Sequence, residues 1–274
     1  MTDEGFTRVC EYVEDELQFA TSHYNDSYLD RRISSRMRRT RTSSYDNYLT
    51  LLQEDPEEQE ALLDSMSINV TGFFRNPEVW DGLRNVLARL TDERDSVAVW
   101  SAACADGREP YSVSMLALED PDIDEQAVSV VGTDISEPAL ETAMSGVYRS
   151  SRTVDIDEQL SYLEDYERYV ERRGRHFEIS DAVAERVQFK RHDLINDHPL
   201  GPFDLVICRN LFIYIDTEYK EEMLETIGGS LREDGYLVIG KAETIPPDVR
   251  SGFSVEEGRL RIYQRESEQA ATNR

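Results

Sequence analysis

Lysine is almost absent from this 274-residue chain, and basic residues in general are few. Only Lys190, Lys220 and Lys241 occur, and 30 lysines and arginines face 56 aspartates and glutamates, for a formal net charge of −26. So acidic a surface repels phosphate backbones and anionic lipids, which argues against nucleic-acid and membrane-surface partners. At molar salt the Debye length falls to ~3 Å, which screens the self-repulsion. The composition therefore predicts adaptation to high salt; a merely acidic cytoplasmic protein is the alternative.

Cysteine pairs, metal-ligand spacings and long apolar runs are also lacking. Cys10, Cys104 and Cys208 are odd in number and form no Cys-x-x-Cys pair, so we expect reduced thiols in a cytoplasmic protein. The four histidines show no ligand spacing, and no metal site is predicted. No apolar run reaches ~18 residues, and the acidic N-terminus is unlike a signal peptide. We expect a monomer that is not inserted in a membrane.

Two patterns of apolar residues divide the chain. In the first part they recur at three- and four-residue steps, which predicts an N-terminal helical domain over 1–75. From about residue 95 short apolar runs alternate with helical stretches, the pattern of a mainly parallel, doubly wound α/β sheet. The predicted strands lie at 97–100, 127–133, 187–190, 203–208 and 236–239, and a closing hairpin is predicted over 253–263. This domain is assigned to 76–266 and a polar tail to 267–274. Residues 146–186, rich in tyrosine and charge, fit the alternation less well and are predicted to form an inserted subdomain with a short strand near His176–Ile179.

The stretch VWSAACADGREPYS, residues 99–112, is a predicted strand, turn and helix at the position of a nucleotide-binding loop. It lacks both the Gly-x-Gly-x-x-Gly pattern and the P-loop lysine that phosphate-binding loops use. Gly107 and the small alanines allow close approach of a ligand. Glu109, near the helix start, would repel a phosphate and attract an amine. The alternative is that Glu109 only complements the helix dipole.

Asp134 ends the next predicted strand, where such folds bind ribose hydroxyls. A helix N-cap is the alternative for Asp134, although Ser136 is also suited to that role. A ligand with a ribose and an amine but no phosphate points to S-adenosylmethionine.

Five motifs, in order, carry a resemblance to a known family. Residues 67–77, SINVTGFFRNP, resemble the N-x-T-x-F-F-R-x-P signature of the chemotaxis receptor glutamate methyltransferases, the CheR family. The stretch WSAACADGREPYS is similar to the family's WSAGCSTGEEPYS, and FDLVICRNLFIYID to FDLIFCRNVLIYFD. The stretches VGTDISEPALETAMSGVY and LREDGYLVIGKAETI resemble two further family motifs.

This resemblance implies a Rossmann-like, S-adenosylmethionine-dependent methyltransferase with a small N-terminal helical domain. The implied reaction converts glutamate carboxylates of chemoreceptors, the methyl-accepting chemotaxis proteins, to methyl esters for adaptation. The cofactor leaves as S-adenosylhomocysteine, and the partner is the receptors' cytoplasmic helical domain. Because a glutamate with a pKa near ~4.3 is already ionised at neutral pH, no general base is required.

The resemblance also assigns the residues of the site. The predicted cofactor-binding residues are Asn69, Thr71, Arg75, Glu109, Asp134, Asp193, Leu194, Arg209 and Asn210. Arg75 and Tyr214 are the predicted catalytic residues, which hold the substrate carboxylate in line with the methyl group. Three positions depart from the family pattern: Ala103 replaces a glycine, Arg108 an acid, and Asp193 an asparagine. An ionised Asp193 accepts hydrogen bonds but cannot donate one.

A basic segment stands out in this acidic chain. Residues 31–41, RRISSRMRRTR, contain six arginines and no acid. On a helix, Arg32, Arg36 and Arg39 share one face, and apolar residues of the segment form another. This face is predicted to dock an acidic receptor helix, and the same region is basic in the family. Ion pairs within the chain are the alternative.

Two other function classes are weighed against the enzyme. A non-catalytic module that binds the cofactor and acts as a scaffold is disfavoured by the presence together of Arg75, Tyr214, Glu109 and Asp134. A nicotinamide-dependent oxidoreductase on a similar sheet is disfavoured by the missing glycine pattern.

Overall fold

The computed structural model describes residues 3–17, 19–66 and 71–266. The chain divides into two compact units, one formed by residues 1–68 with Phe212–Lys220 and the other by residues 69–211 with 221–274. Residues 71–75, predicted to end the helical domain, belong to the second unit, because their backbone is hydrogen-bonded to side chains of that unit. Asn69 and the predicted tail over 267–274 lie outside the described residues.

Helices make up the first unit up to residue 66. They are α1 (Glu4–Leu17), α2 (Asp26–Thr40), α3 (Tyr45–Glu54) and α4 (Pro56–Met66). Polar side chains define two of the starts: Asn25 accepts a hydrogen bond from the Tyr28 amide ahead of α2, and Ser44 accepts one from the Asn47 amide ahead of α3. Apolar residues at helical spacing form the core, among them Val9, Val13, Leu29, Ile33, Tyr48 and Leu52.

A short segment from late in the chain completes this unit. Ile215 forms an isolated antiparallel bridge with Tyr24, and the Asn25 amide donates to the Tyr214 carbonyl at 3.0 Å. The Tyr214 ring lies 4.8 Å from the Tyr28 ring and is partly buried against the core of the unit. Tyr214 is therefore anchored through both its backbone and its ring.

The second unit alternates helices and strands. Its helices are α5 (Pro77–Glu93), α6 (Arg108–Glu119), α7 (Glu137–Ser145), α8 (Ile156–Leu160), α9 (Asp181–Ala184), α10 (Thr217–Ser230), which starts in the first unit, and α11 (Pro247–Arg250). Its strands are β1 (Val97–Ala102), β2 (Val128–Asp134), β3 (Val147–Arg149), β4 (Val170–Arg173), β5 (His176–Ile179), β6 (Val187–Arg191), β7 (Phe203–Cys208), β8 (Leu231–Ile239), β9 (Phe253–Glu257) and β10 (Ile262–Arg265).

The main sheet has seven strands in the order β6-β2-β1-β7-β8-β10-β9. The first five are parallel, and β10 runs antiparallel to both β8 and β9 as the predicted closing hairpin. The chain runs outward from β1 through β2 to β6 and then returns to β7 on the other side of β1, so the strand order reverses between β1 and β7. The predicted doubly wound fold is confirmed. Ligands of such sheets bind at the carboxyl ends of strands beside this point.

Residues 146–186 contain a second, small sheet. It has three antiparallel strands in the order β3-β5-β4, whereas the sequence pattern indicated only the strand near His176–Ile179. The side strands were missed because β3 and β4 are short and charged. Tyr148 and Phe177 of this sheet are buried in the same core as the main sheet.

Candidate active site

Glu109 and Arg209 meet at the carboxyl ends of the two central strands. Glu109 lies in the first turn of α6, after β1, and Arg209 directly follows β7. Arg209 Nη1 lies 3.3 Å from Glu109 Oε2, and the Ser101 hydroxyl donates to Glu109 Oε1 at 2.8 Å. Burial raises the pKa of Glu109, and the charge of Arg209 opposes that rise. Burial also lowers the pKa of Arg209 from its ordinary value.

Arg209 also fixes the segment that carries Arg75. Its Nη2 donates to the Arg75 carbonyl oxygen at 2.8 Å and to Asn76 Oδ1 at 2.9 Å. Its Nε is buried and has no hydrogen-bond partner among the residues that the structure describes. A buried donor of this kind is costly unless something else accepts its hydrogen bond. Arg209 therefore combines a structural role with an unused donor at the predicted site.

Asp134 joins the end of β2 to the loop after β1. Its Oδ2 accepts from the Ala105 amide at 2.8 Å and its Oδ1 from the Ser136 amide at 2.9 Å, and burial raises its pKa. Ser136 caps α7 by accepting from the Ala139 amide, so the helix cap considered for Asp134 belongs to Ser136. A carboxylate with two accepted bonds has lone pairs left for a ligand hydroxyl.

The loop after β1 has an unusual backbone. Ala103, Ala105 and Gly107 have φ values of 54°, 50° and 86°, in the left-handed region. At Ala103, where the family has glycine, the Cβ makes this conformation cost about 1–2 kcal/mol. A side chain at Gly107 would also press on Ala143 at 2.7 Å and Phe189 at 2.9 Å. Ala103, which replaces the glycine of the family motif, therefore adopts the loop conformation at an energetic cost.

Asp193 and Leu194 follow β6 on the far side of β2. Asp193 Oδ1 accepts from the Ile195 and Asn196 amides at 2.9 and 3.2 Å, and Asp193 Oδ2 accepts from the Asn196 side chain at 2.8 Å. Leu194 is buried. Asp193 thus stabilises its own turn, and each of these three hydrogen bonds requires an acceptor at position 193. His192, just before it, donates its amide to the Asp134 carbonyl at 3.1 Å, which joins this turn to the end of β2.

Glu243 is a site residue that the sequence analysis missed. Its Oε2 accepts from the Asn210 amide at 3.0 Å and from the Gly240 amide at 2.5 Å, so it joins the turns after β7 and β8. Asn210 has a φ of 63°, and a Cβ at Gly240 would lie 2.5 Å from the Glu243 carboxylate. The available signal was an acid inside the fifth motif, four residues after the apolar end of β8.

The predicted residues of the first unit lie in a different setting. Arg32, Arg36 and Arg39 do share one face of α2, and with Ser35, Ala61 and Ser65 they line a cleft of about 360 Å³. Arg36 is held inside the unit: its Nε donates to Glu58 Oε1 at 3.0 Å and its Nη2 to Glu58 Oε2. The Tyr48 hydroxyl donates to the same carboxylate at 2.6 Å. The alternative of ion pairs within the chain therefore holds for Arg36.

Arg32 and Arg39 differ from Arg36. The Arg32 guanidinium lies 5.0 Å from the Tyr28 ring centroid, a cation–π contact, and its buried Nε has no hydrogen-bond partner within the described ranges. Arg39 is exposed.

In the part of the chain that the structure describes, these loops hold no reactive thiol and no cluster of metal ligands. Burial raises the pKa of the Cys104 and Cys208 thiols, so neither is a thiolate at neutral pH. Within residues 3–17, 19–66 and 71–266, no group of three or more potential metal ligands occurs. No helix in these same ranges has the length and apolar character needed to cross a bilayer.

Comparison with known proteins identifies the family. Residues 69–262 match the family described as "CheR methyltransferase, SAM binding domain", and residues 4–67 match "CheR methyltransferase, all-alpha domain". The chain belongs to the CheR methyltransferase family. It is an S-adenosylmethionine-dependent methyltransferase, as the motifs predicted.

Individual relatives agree over most of their length. A "Chemotaxis protein methyltransferase" of Listeria monocytogenes is 33% identical over 242 residues, which cover 88% of each chain. Proteins with the same description from Salmonella typhimurium and Borreliella burgdorferi are 28% and 27% identical, over 91% and 89% of this chain and 87% and 89% of theirs.

The donor set of the site fits the cofactor of the family. S-adenosylmethionine carries an ammonium, a carboxylate and ribose hydroxyls. The site offers the Glu109 carboxylate, the unused Nε of Arg209 and the spare lone pairs of Asp134. A phosphate-bearing cofactor would instead meet two buried carboxylates.

Proposed function

We propose that this protein transfers the methyl group of S-adenosylmethionine to glutamate carboxylates of chemoreceptors, giving methyl esters for chemotactic adaptation. Support comes from membership of the CheR family and from relatives that carry the description of chemotaxis protein methyltransferases. The observation that carries the proposal is the buried pair of Glu109 and Arg209 beside Asp134, which offers acids to an amine and a ribose rather than cations to a phosphate. The cytoplasmic location and the domain limits stay predictions.

The reaction needs alignment more than acid–base chemistry. The cofactor supplies a methyl group activated by its sulfonium, and the attacking glutamate is already ionised at neutral pH. Two groups held in the right geometry can gain effective molarities of ~10⁵–10⁸ M. The chain's contribution is therefore to bind both partners and fix their direction. The protein must leave the substrate carboxylate with few hydrogen bonds and ion pairs, because a fully paired carboxylate is a poor nucleophile.

Specific residues are proposed for each task. Glu109 holds the cofactor's ammonium and Asp134 its ribose. Asn69, Thr71, Arg75, Asp193, Leu194, Arg209 and Asn210 complete the cofactor site. Arg75 is also proposed, with Tyr214, to orient the substrate carboxylate. Asn69 lies outside the described residues, and Tyr214 and Arg75 belong to different units. The roles of these three residues are proposed from the motif match.

The α2 arginines are proposed to bind the receptor. In a protein of net charge −26, an acidic partner helix requires a local basic surface, and the cleft lined by Arg32, Arg36 and Arg39 is such a surface. Because Glu58 neutralises Arg36, the attraction is expected to come from Arg32 and Arg39. The cleft of about 360 Å³ has room for an acidic side chain between α2 and α4.

The test is receptor methylation with labelled cofactor. Purified protein in molar KCl is mixed with methyl-labelled S-adenosylmethionine and membranes that carry the chemoreceptors of the same organism. We expect base-labile label on the receptor band, because esters hydrolyse in base and methyl amines do not. The matched control is the same receptor with its labelled glutamates changed to alanine. Binding of the cofactor without any receptor label would refute the proposed substrate.

A further inference from the structure

The segment from Thr71 to Asn76 carries two proposed site residues but has no helix or strand to shape it. Phe74 and Asn76 have φ values of 46° and 59°, in the left-handed region that residues with a Cβ avoid. Such a backbone persists only where surrounding groups hold it in place. The shape of this segment must therefore come from contacts with other parts of the second unit.

The Arg75 end is held by Trp80 and by two residues of the family motifs, Arg209 and Ser112. Trp80 Nε1 and Arg209 Nη2 both donate to the Arg75 carbonyl oxygen, at 3.1 and 2.8 Å. The Phe74 amide donates to the Ser112 hydroxyl at 3.1 Å. The Thr71 end of the segment is held by other side chains.

Gln159 holds the middle of the segment from the inserted subdomain. It lies on α8, and its Oε1 accepts the Phe73 amide hydrogen at 3.0 Å, across a sequence separation of 86 residues. Gly72 leaves room for it, because a Cβ at that position would lie 3.2 Å from the Gln159 amide group. A partly buried backbone N–H depends on this one acceptor.

Arg108 holds the Thr71 end from the loop after β1. Its Nη1 donates to the Thr71 carbonyl oxygen at 3.3 Å, and its Nη2 lies 3.3 Å from Asp106 Oδ2. The guanidinium lies 5.9 Å from the Phe73 ring centroid and 5.1 Å from that of Tyr148. These two rings meet edge to face at 5.1 Å, and the Tyr148 hydroxyl donates to the Asp106 carbonyl. An acid at position 108, as in the family motif, could make none of the donor or cation–π contacts.

We infer that Gln159 and Arg108 are positioning residues for methyl transfer, which hold Thr71 and Arg75 in their binding conformation through the backbone of residues 71–73. The inserted subdomain thereby takes part in shaping the cofactor site. The inference rests on the proposed roles of Thr71 and Arg75.

The first test separates the hydrogen bond of Gln159 from its bulk. Gln159→Met keeps the length of the side chain but removes the acceptor oxygen, whereas Gln159→Glu keeps an acceptor. We expect Gln159→Met to raise the Kd for S-adenosylmethionine about tenfold, because it leaves the partly buried Phe73 N–H without its acceptor. Gln159→Glu should stay within about threefold of the parent. Gln188→Met, at an exposed position on β6, is the matched control.

Amide hydrogen exchange gives a second readout that needs neither cofactor nor receptor. Exchange of the peptide that covers residues 71–76 should speed up in Gln159→Met and not in Gln159→Glu. A parent-like Kd and parent-like exchange in Gln159→Met would overturn the inference. Equal losses in both variants would also overturn it, because the acceptor oxygen would then be irrelevant.

Arg108 is tested by restoring the acid of the family motif. Arg108→Glu removes the donor to Thr71 and should raise the Kd for the cofactor by a similar factor, with faster exchange over 71–76. Arg259→Glu makes the same charge change at an exposed turn and should do neither. Parent-like binding by Arg108→Glu would contradict the role of Arg108.

Both readouts are independent of the methyl acceptor, which keeps the two proposals distinguishable. If the parent binds cofactor but labels no receptor, and Gln159→Met still weakens binding, the positioning role stands and the proposed substrate fails. If the parent methylates receptors and Gln159→Met binds cofactor normally, the positioning role fails and the proposed function stands.

Discussion

Arg209 and Glu109 form a buried ion pair at the carboxyl ends of β1 and β7, with 3.3 Å between Nη1 and Oε2 and side chains that are 2% and 13% exposed. Each charge is kept in the interior by the other, because an unpaired buried charge costs several kcal/mol. The pair also connects the first turn of α6 to the Arg75 segment, because Arg209 donates a hydrogen bond to the Arg75 carbonyl oxygen.

Glu109 is expected to make cofactor binding depend on pH. Its pKa is raised by burial, and a cofactor ammonium favours the ionised form, so the pKa of Glu109 is lower in the complex than in the free protein. Affinity should therefore rise with pH above the ordinary glutamate value and level off once the free carboxyl is ionised. Titration calorimetry between about pH 5 and pH 8 measures this.

The matched variant for that titration is Glu109→Gln. It should bind the cofactor more weakly at neutral pH and lose most of the dependence, keeping only the part due to Asp134, whose pKa burial also raises. An unchanged pH slope in this variant would contradict the assignment of Glu109. A thermal melt of the same sample checks that the unpaired Arg209 has not unfolded the protein.

Arg75→Ala should abolish most methyl transfer while the fold survives. The carbonyl oxygen of Arg75, which any residue retains, accepts the hydrogen bonds from Trp80 and Arg209. Loss of an aligning cation should lower kcat/KM by about 10²-fold or more. Initial rates with labelled cofactor measure the effect, with Arg259→Ala as the control for losing an exposed arginine. Near-normal turnover in Arg75→Ala would refute its role.

Arg36 and Arg39 should respond differently to charge reversal. Arg36→Glu breaks the buried pair with Glu58 and should cost about 3–5 kcal/mol of stability. Arg39→Glu changes an exposed residue and should alter stability by less than about 0.5 kcal/mol while slowing receptor methylation. Urea unfolding and initial rates measure the two effects. A parent-like methylation rate in Arg39→Glu would argue against docking on this face.

Asp204 is expected to be a main stabiliser of the sheet. It is 0% exposed, accepts from the Ala98 amide at 2.8 Å, pairs with Arg94 and lies 3.5 Å from Arg232. Asp204→Ala leaves these groups without their acceptor and should cost about 3–5 kcal/mol. Urea unfolding checks this, with Asp95→Ala as an exposed control. Equal stability of the two variants would contradict the role of Asp204.

Salt should stabilise the protein. At a net charge of −26 self-repulsion is strong at low ionic strength, and near 1 M salt a Debye length of ~3 Å removes most of it. The Tm should therefore rise as KCl is increased from about 0.1 M to about 3 M. Glycerol in place of KCl is the control for solvent effects without screening. A Tm that is highest at low salt would refute the predicted adaptation.

Much of the fold could be predicted because its signals are local. The alternation of short apolar runs with helical stretches placed β1, β2, β6 and β7, and their order in the chain is that of a doubly wound sheet. Asp134 ends β2, Arg209 directly follows β7, and Glu109 lies in the first turn of the helix after β1, so a correct strand prediction also placed them at one edge. The short charged strands β3 and β4 carry too few apolar residues to be seen in the same way.

The arginine face of α2 includes a contact that the sequence pattern could not predict. Helical spacing predicted that Arg32, Arg36 and Arg39 share a face, and they do. It could not predict that Glu58, 22 residues away on α4, would form an ion pair with Arg36, because that pair depends on how the two helices pack.

The sequence by itself determined the family, the succession of strands along the chain and the position of Asp134 at the end of one of them, because periodicity and motifs are properties of neighbouring residues. Only the tertiary structure decided which side chains hold the site together. Glu109 and Arg209 are 100 residues apart, Gln159 and Phe73 are 86 apart, and Glu243 reaches Asn210 across 33. Such bonds leave no periodic trace, since a single polar side chain that satisfies a distant backbone group has no pattern to repeat.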